Sequence, residues 1–109
     1  MPTVYKVLAQ SNPSATTATT LYTVPSSTST VVSTITVCNQ SSAPSTYRIA
    51  VRPAGASLAT QHYIAYDVVI GANDTTALTL GITLATTDVL TIYASNANMS
   101  FAAFGSEIS

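Results

Sequence analysis

The side chains that could support catalysis in this sequence are few and isolated. His62 is the only histidine, and it lies five residues before Asp67. A Ser-His-Asp arrangement does not require its members to be close in sequence. His62 is nevertheless accompanied by no nucleophile elbow or other local signature. We therefore predict no catalytic residue, and we expect His62 to make an ordinary hydrogen bond at a sheet edge or an interface.

The single cysteine, Cys38, cannot form a disulfide within the chain. A catalytic thiol needs a neighbouring base and an electropositive setting. A hydrolase acting on glycans needs a pair of carboxylates about 5–10 Å apart, and three of the four acidic residues lie in or beside predicted turns. We predict that Cys38 is a small buried or half-buried side chain in a strand and that the protein is not an enzyme.

Metal and cofactor sites are not predicted either. A structural zinc site needs four ligands, which one histidine and one cysteine do not supply. Asp74 with Asn73, or Asp88 with Asn96 and Asn98, offers oxygen atoms to calcium, but neither set matches an EF-hand loop. We expect these side chains to close turns. The glycine patterns that bind nucleotide phosphates are absent from the sequence.

Charge is scarce throughout the 109 residues. Only 6% of the residues are charged, with a net charge of −1, whereas a typical soluble domain has about 25%. Spread over the surface expected for this length, that is roughly one charge per 800 Å², an area close to one partner's share of a standard protein interface. Interface cores are depleted of charge. The composition therefore predicts a protein that functions in an assembly.

Period-two alternation of apolar residues recurs along the chain, and clusters of turn-forming residues separate the alternating segments. With 47% hydrophobic residues, the chain is not predicted to be disordered despite its 19 threonines and 14 serines. The clearest predicted strand alternates Leu78, Leu80, Ile82 and Leu84 with small or polar residues. The predicted strands cover residues 3–8, 19–24, 31–38, 47–52, 61–70, 78–84, 89–94 and 99–104.

This pattern predicts an all-β fold, a single antiparallel β-sandwich, jelly-roll-like or Ig-like, of about seven or eight short strands. Residues 19–109 form the sandwich domain. Residues 1–18 form either a first strand and loop or an arm that reaches a neighbouring subunit. The aromatic residues are six tyrosines and two phenylalanines. Most are expected in the core, with one or two on an exposed sheet face where they could anchor a partner or stack on a sugar.

Several partners are excluded by the composition. Three scattered basic residues are too few for the phosphate contacts of nucleic-acid binding. The first residues lack the basic and apolar regions of a signal peptide, and no apolar run has the length of a membrane helix. We therefore expect no nucleic-acid partner, no membrane insertion and synthesis in a cytoplasm.

The sequence resembles a family of small virion proteins of tailed bacteriophages, over roughly residues 19–108. The similar segments are Leu21–Pro25, Val31–Asn39, Tyr47–Gly55, His62–Asp67, Asn73–Thr75, Gly81–Leu84, Thr87–Val89 and Phe104–Glu107. The resemblance implies a β-rich structural protein of the virion, made in the cytoplasm of a host bacterium. It brings no catalytic, cofactor-binding or metal-binding residue with it.

Among virion roles, a capsid decoration or cement protein agrees best with the low charge. Such a protein binds the major capsid protein lattice, stabilises the head and is usually a homo-oligomer. The alternative is a tail-fibre, baseplate or receptor-binding protein that contacts host glycans. This alternative predicts an exposed aromatic cluster with polar loops at one end of the sandwich.

Overall fold

The computed structural model describes residues 2–109, which form nine β-strands and two short 3₁₀ turns. The strands are β1 (Thr3–Ser11), β2 (Thr19–Thr23), β3 (Ser29–Asn39), β4 (Ser45–Arg52), β5 (Tyr63–Ile70), β6 (Thr75–Leu78), β7 (Ile82–Leu84), β8 (Val89–Ala94) and β9 (Met99–Ile108). The 3₁₀ turns, Pro53–Gly55 and Thr60–His62, both lie between β4 and β5. No helix in the described part of the chain is long and apolar enough to cross a membrane.

The strands form two antiparallel sheets that pack as a sandwich. The first sheet has the order β1-β9-β3-β6, and β7 also pairs with β3. The second has the order β2-β8-β4-β5. The predicted all-β sandwich is therefore confirmed, with nine strands in place of seven or eight.

The core lies between the sheets and is almost entirely aliphatic and aromatic. The central strands β3, β4, β8 and β9 supply most of it, and the T-shaped pair of Tyr47 and Phe101 packs there at 6.4 Å between ring centroids. Tyr47 and Ile49 point inwards and Val51 packs against the core, whereas Arg48 lies on the outer face of the same strand, as the alternation in β4 predicts.

A bulge in β3 changes which residues face the core. The pairing of β3 with β9 shifts between Val32 and Thr34. Before the bulge the even position Val32 is buried, and after it the odd positions Ile35 and Val37 are buried. One extra residue in a strand has this effect because the side-chain period is two. Gly105 lies opposite the bulge, and a Cβ there would come within 1.9 Å of the Val31 carbonyl oxygen.

The predicted single strand over residues 78–84 is wrong. The structure divides this segment into the end of β6 and the whole of β7, which pair with different parts of β3. Gly81 has a φ of +62° and Leu80 is exposed. Residues 79–81 belong to no strand, and Gly81 turns the chain between β6 and β7, so the apolar alternation across residues 78–84 does not report a single pleated face.

Other boundaries differ from the predictions by a few residues. The first strand extends to Ser11 and the last to Ile108. His62 ends a 3₁₀ turn and does not begin the next strand. The connection over residues 12–18 is held by the Asn12 amide, which donates to the carbonyl oxygens of Ala97 and Met99. The alternative of an arm over residues 1–18 stays a prediction.

Candidate functional site

His62 serves a local turn. The Nδ1 atom of its ring accepts a hydrogen bond from the Ala59 backbone N–H at 3.1 Å, which closes the 3₁₀ turn before β5. Asp67 accepts a hydrogen bond from Arg48. His62 and Asp67, the two residues that a Ser-His-Asp arrangement would use, therefore have separate partners. The hydrogen bond of His62 lies directly before β5, an edge strand. It is the ordinary hydrogen bond at a sheet edge that the sequence predicts for His62.

Cys38 is half-buried in β3, as predicted for a small structural side chain. It pairs with Ser100 of β9 on one side and with Thr75 of β6 on the other. His62 belongs to the opposite sheet's β4–β5 connection. The structure therefore places the cysteine and the histidine in different parts of the molecule.

The possible calcium ligands act in turns. Asp88 accepts hydrogen bonds from the backbone N–H groups of Ala54 and Ala85, and Asn96 accepts one from the Asn98 N–H. Asp88 and Asn96 flank opposite ends of β8, about 20 Å apart for a strand of this length. Within residues 2–109 no group of three or more histidine, cysteine or acidic side chains is placed to hold a metal ion.

All seven charged side chains are engaged within the chain. Four of them form two ion pairs between neighbouring strands, at 2.9 Å and 2.6 Å. The others bond to backbone groups or to a hydroxyl. The contacts are Lys6 with Glu107, Arg48 with Asp67, Arg52 with the Thr91 hydroxyl and the Ala56 carbonyl, Asp74 with the Thr75 N–H, and Asp88 with the Ala54 and Ala85 N–H groups.

An aromatic cluster surrounds Arg48 on the outer face of the second sheet. The guanidinium carbon of Arg48 lies 4.2 Å from the ring centroids of both Tyr66 and Tyr93. Tyr63 meets Tyr66 edge to face at 4.9 Å. The hydrogen bonds to Asp67 raise the pKa of Arg48, which stays a cation held between two rings. We call these five residues the Arg48 cluster.

The strand that carries this cluster, β5, exposes apolar side chains on both of its faces. Val68 and Val69 are consecutive and point to opposite sides of the sheet, yet both are exposed, Val69 by 70%. Ile64 and Tyr66 are exposed as well. We call these four residues the β5 strip. Only the last residue of the strand, Ile70, is buried in the core.

A second apolar strip lies on β1. Val4, Tyr5 and Val7 are exposed, and Tyr5 is the most exposed of them at 83%. Val4 and Tyr5 point to opposite faces of the strand, because its register with β9 is regular there. Of the whole strand only Leu8 is buried. We call Val4, Tyr5 and Val7 the β1 strip.

Beneath the β1 strip, a polar cluster joins the two sheets. The Tyr22 hydroxyl of β2 donates to the Glu107 carboxylate of β9 and contacts the Thr30 hydroxyl of β3, and Lys6 of β1 pairs with Glu107. The Tyr22 and Lys6 hydrogen bonds lower the pKa of Glu107. Burial and the adjacent carboxylate raise the pKa of Tyr22 to about 12. We call these four residues the Glu107 cluster.

The sequence predicted faces for these strands but not their exposure. Strict alternation along β5 would place Ile64, Tyr66, Val68 and Ile70 on one face, but pairing with β4 shifts on both sides of Ala65, and the strand lies at an edge. The available signal was that apolar residues occupy both odd and even positions in β1 and β5. That pattern is equally typical of a strand buried on both faces.

No protein family model matches the sequence. No curated protein matches it either. A chain in a solved structure of infectious bursal disease virus, Gx strain, has a similar fold, with a TM-score of 0.54 and 15% sequence identity. The similarity covers 97% of this chain and 31% of the viral chain, so this chain spans less than a third of that chain's length. At this identity the similarity concerns the fold.

Proposed function

We propose that this chain is a non-enzymatic structural protein of a virion, and that it acts as a decoration protein on a bacteriophage capsid. In this role it binds the lattice of the major capsid protein and stabilises the head. The observation that carries the proposal is the surface: every charged side chain has a partner inside the chain, while two strips of large apolar residues are exposed. Such a surface favours protein contact over a solitary soluble state.

The fold supports the same role. The similar chain found among solved structures belongs to a virus, and its similarity covers almost all of this chain. Four of the seven charged side chains form ion pairs within the chain and the other three bond to backbone groups or a hydroxyl, so few charges lack a compensating contact when the apolar strips are covered. A protein that clamps neighbouring subunits needs contact area of this kind and no reactive side chain.

The proposal is tested on purified particles that contain the chain. Quantitative mass spectrometry of separated heads and tails should find it in the heads, in numbers comparable with the major capsid protein. Heads that lack the chain should bind the purified protein on co-sedimentation and should then resist heating better. A few copies that fractionate with tails would contradict the decoration role.

The Arg48 cluster favours a second candidate, a tail or receptor-binding protein that contacts host glycans. Three tyrosines lie together, and Tyr66 is 57% exposed, which suits stacking on a sugar ring. The cluster lies on a sheet face and not among loops at one end, and Arg48 covers one face each of Tyr66 and Tyr93. A glycan array discriminates the candidates: binding that Tyr66→Ala abolishes supports the glycan role, and an array without binding argues against it.

A further inference from the structure

The two longest edge strands of the sandwich, β1 and β5, lie at diagonally opposite edges. They have nine and eight residues, whereas β2, β6 and β7 have five, four and three. β1 contacts β2 across the two sheets, and β5 is joined to β6 by the short turn over residues 71–74. Within the described residues each long strand pairs on one side only, β1 with β9 and β5 with β4. The other side of each presents backbone groups to a further strand.

Neither strand is fully covered by the opposite sheet. Consecutive residues are exposed on both faces, as Val4 with Tyr5 and Val68 with Val69 demonstrate. A peptide or a small ligand that docks on one face would leave the other face in water. A folded β-sandwich placed edge to edge supplies an adjoining strand whose side chains flank both faces. Its second sheet also covers the inner face. The geometry of the strips therefore fits another β-sandwich.

The charges indicate which edge meets which. Lys6 is the only charged residue of β1, and Asp67 is the only charged residue of β5. Their side chains stay 43% and 44% exposed despite their internal partners. Their partners Glu107 and Arg48 are less exposed, at 16% and 23%, so the β1 edge presents mainly a cation and the β5 edge mainly an anion. Pairing like edges would bring like exposed charges closer, which is less favourable than pairing unlike edges. Pairing β1 with β5 brings Lys6 towards Asp67.

We propose that copies of this chain associate head to tail, with the β1 strip of one copy packed along the β5 strip of the next. This contact rests on the proposed structural function and specifies how its oligomer forms. Because the two surfaces differ, the interface is heterologous, and an open oligomer keeps one unused β1 strip at one end and one unused β5 strip at the other until a ring closes. A symmetric dimer is not compatible with this arrangement.

A heterologous contact and a symmetric contact predict different results when two variants, each with one blocked strip, are mixed. Tyr5→Asp blocks the β1 strip, and Val69→Asp blocks the β5 strip. Each variant alone should be monomeric at concentrations where the unaltered protein is oligomeric by light scattering. An equimolar mixture of the two should form one-to-one dimers that do not grow further, because one intact β1 strip and one intact β5 strip remain.

Leu80→Asp is the matched control, since Leu80 is an exposed apolar residue outside both strips. This variant should assemble as the unaltered protein does. Circular dichroism and thermal unfolding of all three variants establish that they are folded, and a variant that does not fold is replaced by Val7→Asp or Ile64→Asp in the same strip. The inference is overturned if the unaltered protein is monomeric, if either blocked variant still assembles, or if the mixture contains monomers only.

The outcome is separable from that of the proposed function. Head-to-tail oligomers that do not bind heads would contradict the decoration role and leave this contact intact. Monomers that bind heads would contradict this contact and leave the decoration role intact.

Discussion

Strands β8 and β5 belong to the same sheet and are similarly apolar, yet they have opposite environments. β8 reads Val-Leu-Thr-Ile-Tyr-Ala, lies between β2 and β4, and has no exposed residue. β5 reads Tyr-Ile-Ala-Tyr-Asp-Val-Val-Ile, lies at the edge, and buries only its last residue in the core. The apolar residues of β8 stabilise the monomer, whereas those of β5 are available for a contact. Position in the sheet, and not composition, separates the two environments.

The largest expected difference between the strands is in stability. Ile92 of β8 has no exposed surface, and Ile92→Ala should lower the free energy of unfolding by about 3 kcal/mol through lost burial and a residual cavity. Val69→Ala in β5 should change the free energy of unfolding by less than about 0.5 kcal/mol, because the side chain is already exposed. Urea unfolding of the monomer measures both. Equal losses at the two positions would contradict the comparison.

A second substitution should loosen β5 although the substituted residue belongs to β3. The buried Asn39 amide donates to the carbonyl oxygens of Ala43, Ile70 and Gly71, which ties the end of β5 to β3. Asn39→Ala should cost about 2 kcal/mol, because buried carbonyls lose their donor.

Hydrogen exchange should then accelerate in β5 more than in β8. Gln40→Ala is the control, since that side chain is exposed and makes only a long bond to Ser100. A uniform acceleration over the whole sheet after Asn39→Ala would show that this amide does not hold the edge strand in particular.

The Glu107 cluster holds the other edge strand, β1. Glu107→Gln should lower the free energy of unfolding by about 1 kcal/mol, because a charged hydrogen bond to Tyr22 and an ion pair to Lys6 are both weakened. A double-mutant cycle with Tyr22→Phe isolates the contribution of the hydroxyl–carboxylate contact. A double variant whose loss equals the sum of the two single losses would mean that the hydroxyl–carboxylate contact contributes no coupling free energy.

The same cluster predicts how stability depends on pH. The folded pKa of Glu107 lies below its ordinary value of 4.5, so its contribution is complete above that value and is lost as the pH falls through the folded pKa. The folded pKa of Tyr22 is about 12, above its ordinary value of 10, so its contribution is lost as the pH rises from 10 to 12. Urea unfolding across both ranges measures these losses, and Glu107→Gln should flatten the acid side.

The smallest expected effect is at the Arg48 cluster. Asp67→Asn removes the charge of an exposed ion pair, while Arg48 stays stacked on Tyr66 and Tyr93. The loss of stability should be smaller than for Glu107→Gln, and added salt should reduce it further because exposed pairs are screened. Unfolding at low and high salt provides the measurement. A loss that is large and independent of salt would indicate that Asp67 positions β5.

The sequence predicted the environment of the central strands well and that of the edges poorly. The alternation of Tyr47, Ile49 and Val51 with arginines predicted the faces of β4 correctly. The same reasoning failed in residues 78–84, where β6 ends at Leu78 and the chain turns at Gly81 before β7. It also failed to detect the bulge in β3, because a bulge depends on the pairing with β9.

The sequence by itself determined that this protein is an all-β sandwich and that its few charged and reactive side chains are too scattered to suggest a catalytic or metal site. Both conclusions depend on local patterns: side-chain alternation specifies strands, and residue counts bound the available chemistry. Only the tertiary structure decided which apolar strands lie at the edges and that four of the seven charges form ion pairs between strands. Those properties arise from contacts between residues distant in the chain, and they turn the apolar residues of β1 and β5 into candidate contact surfaces.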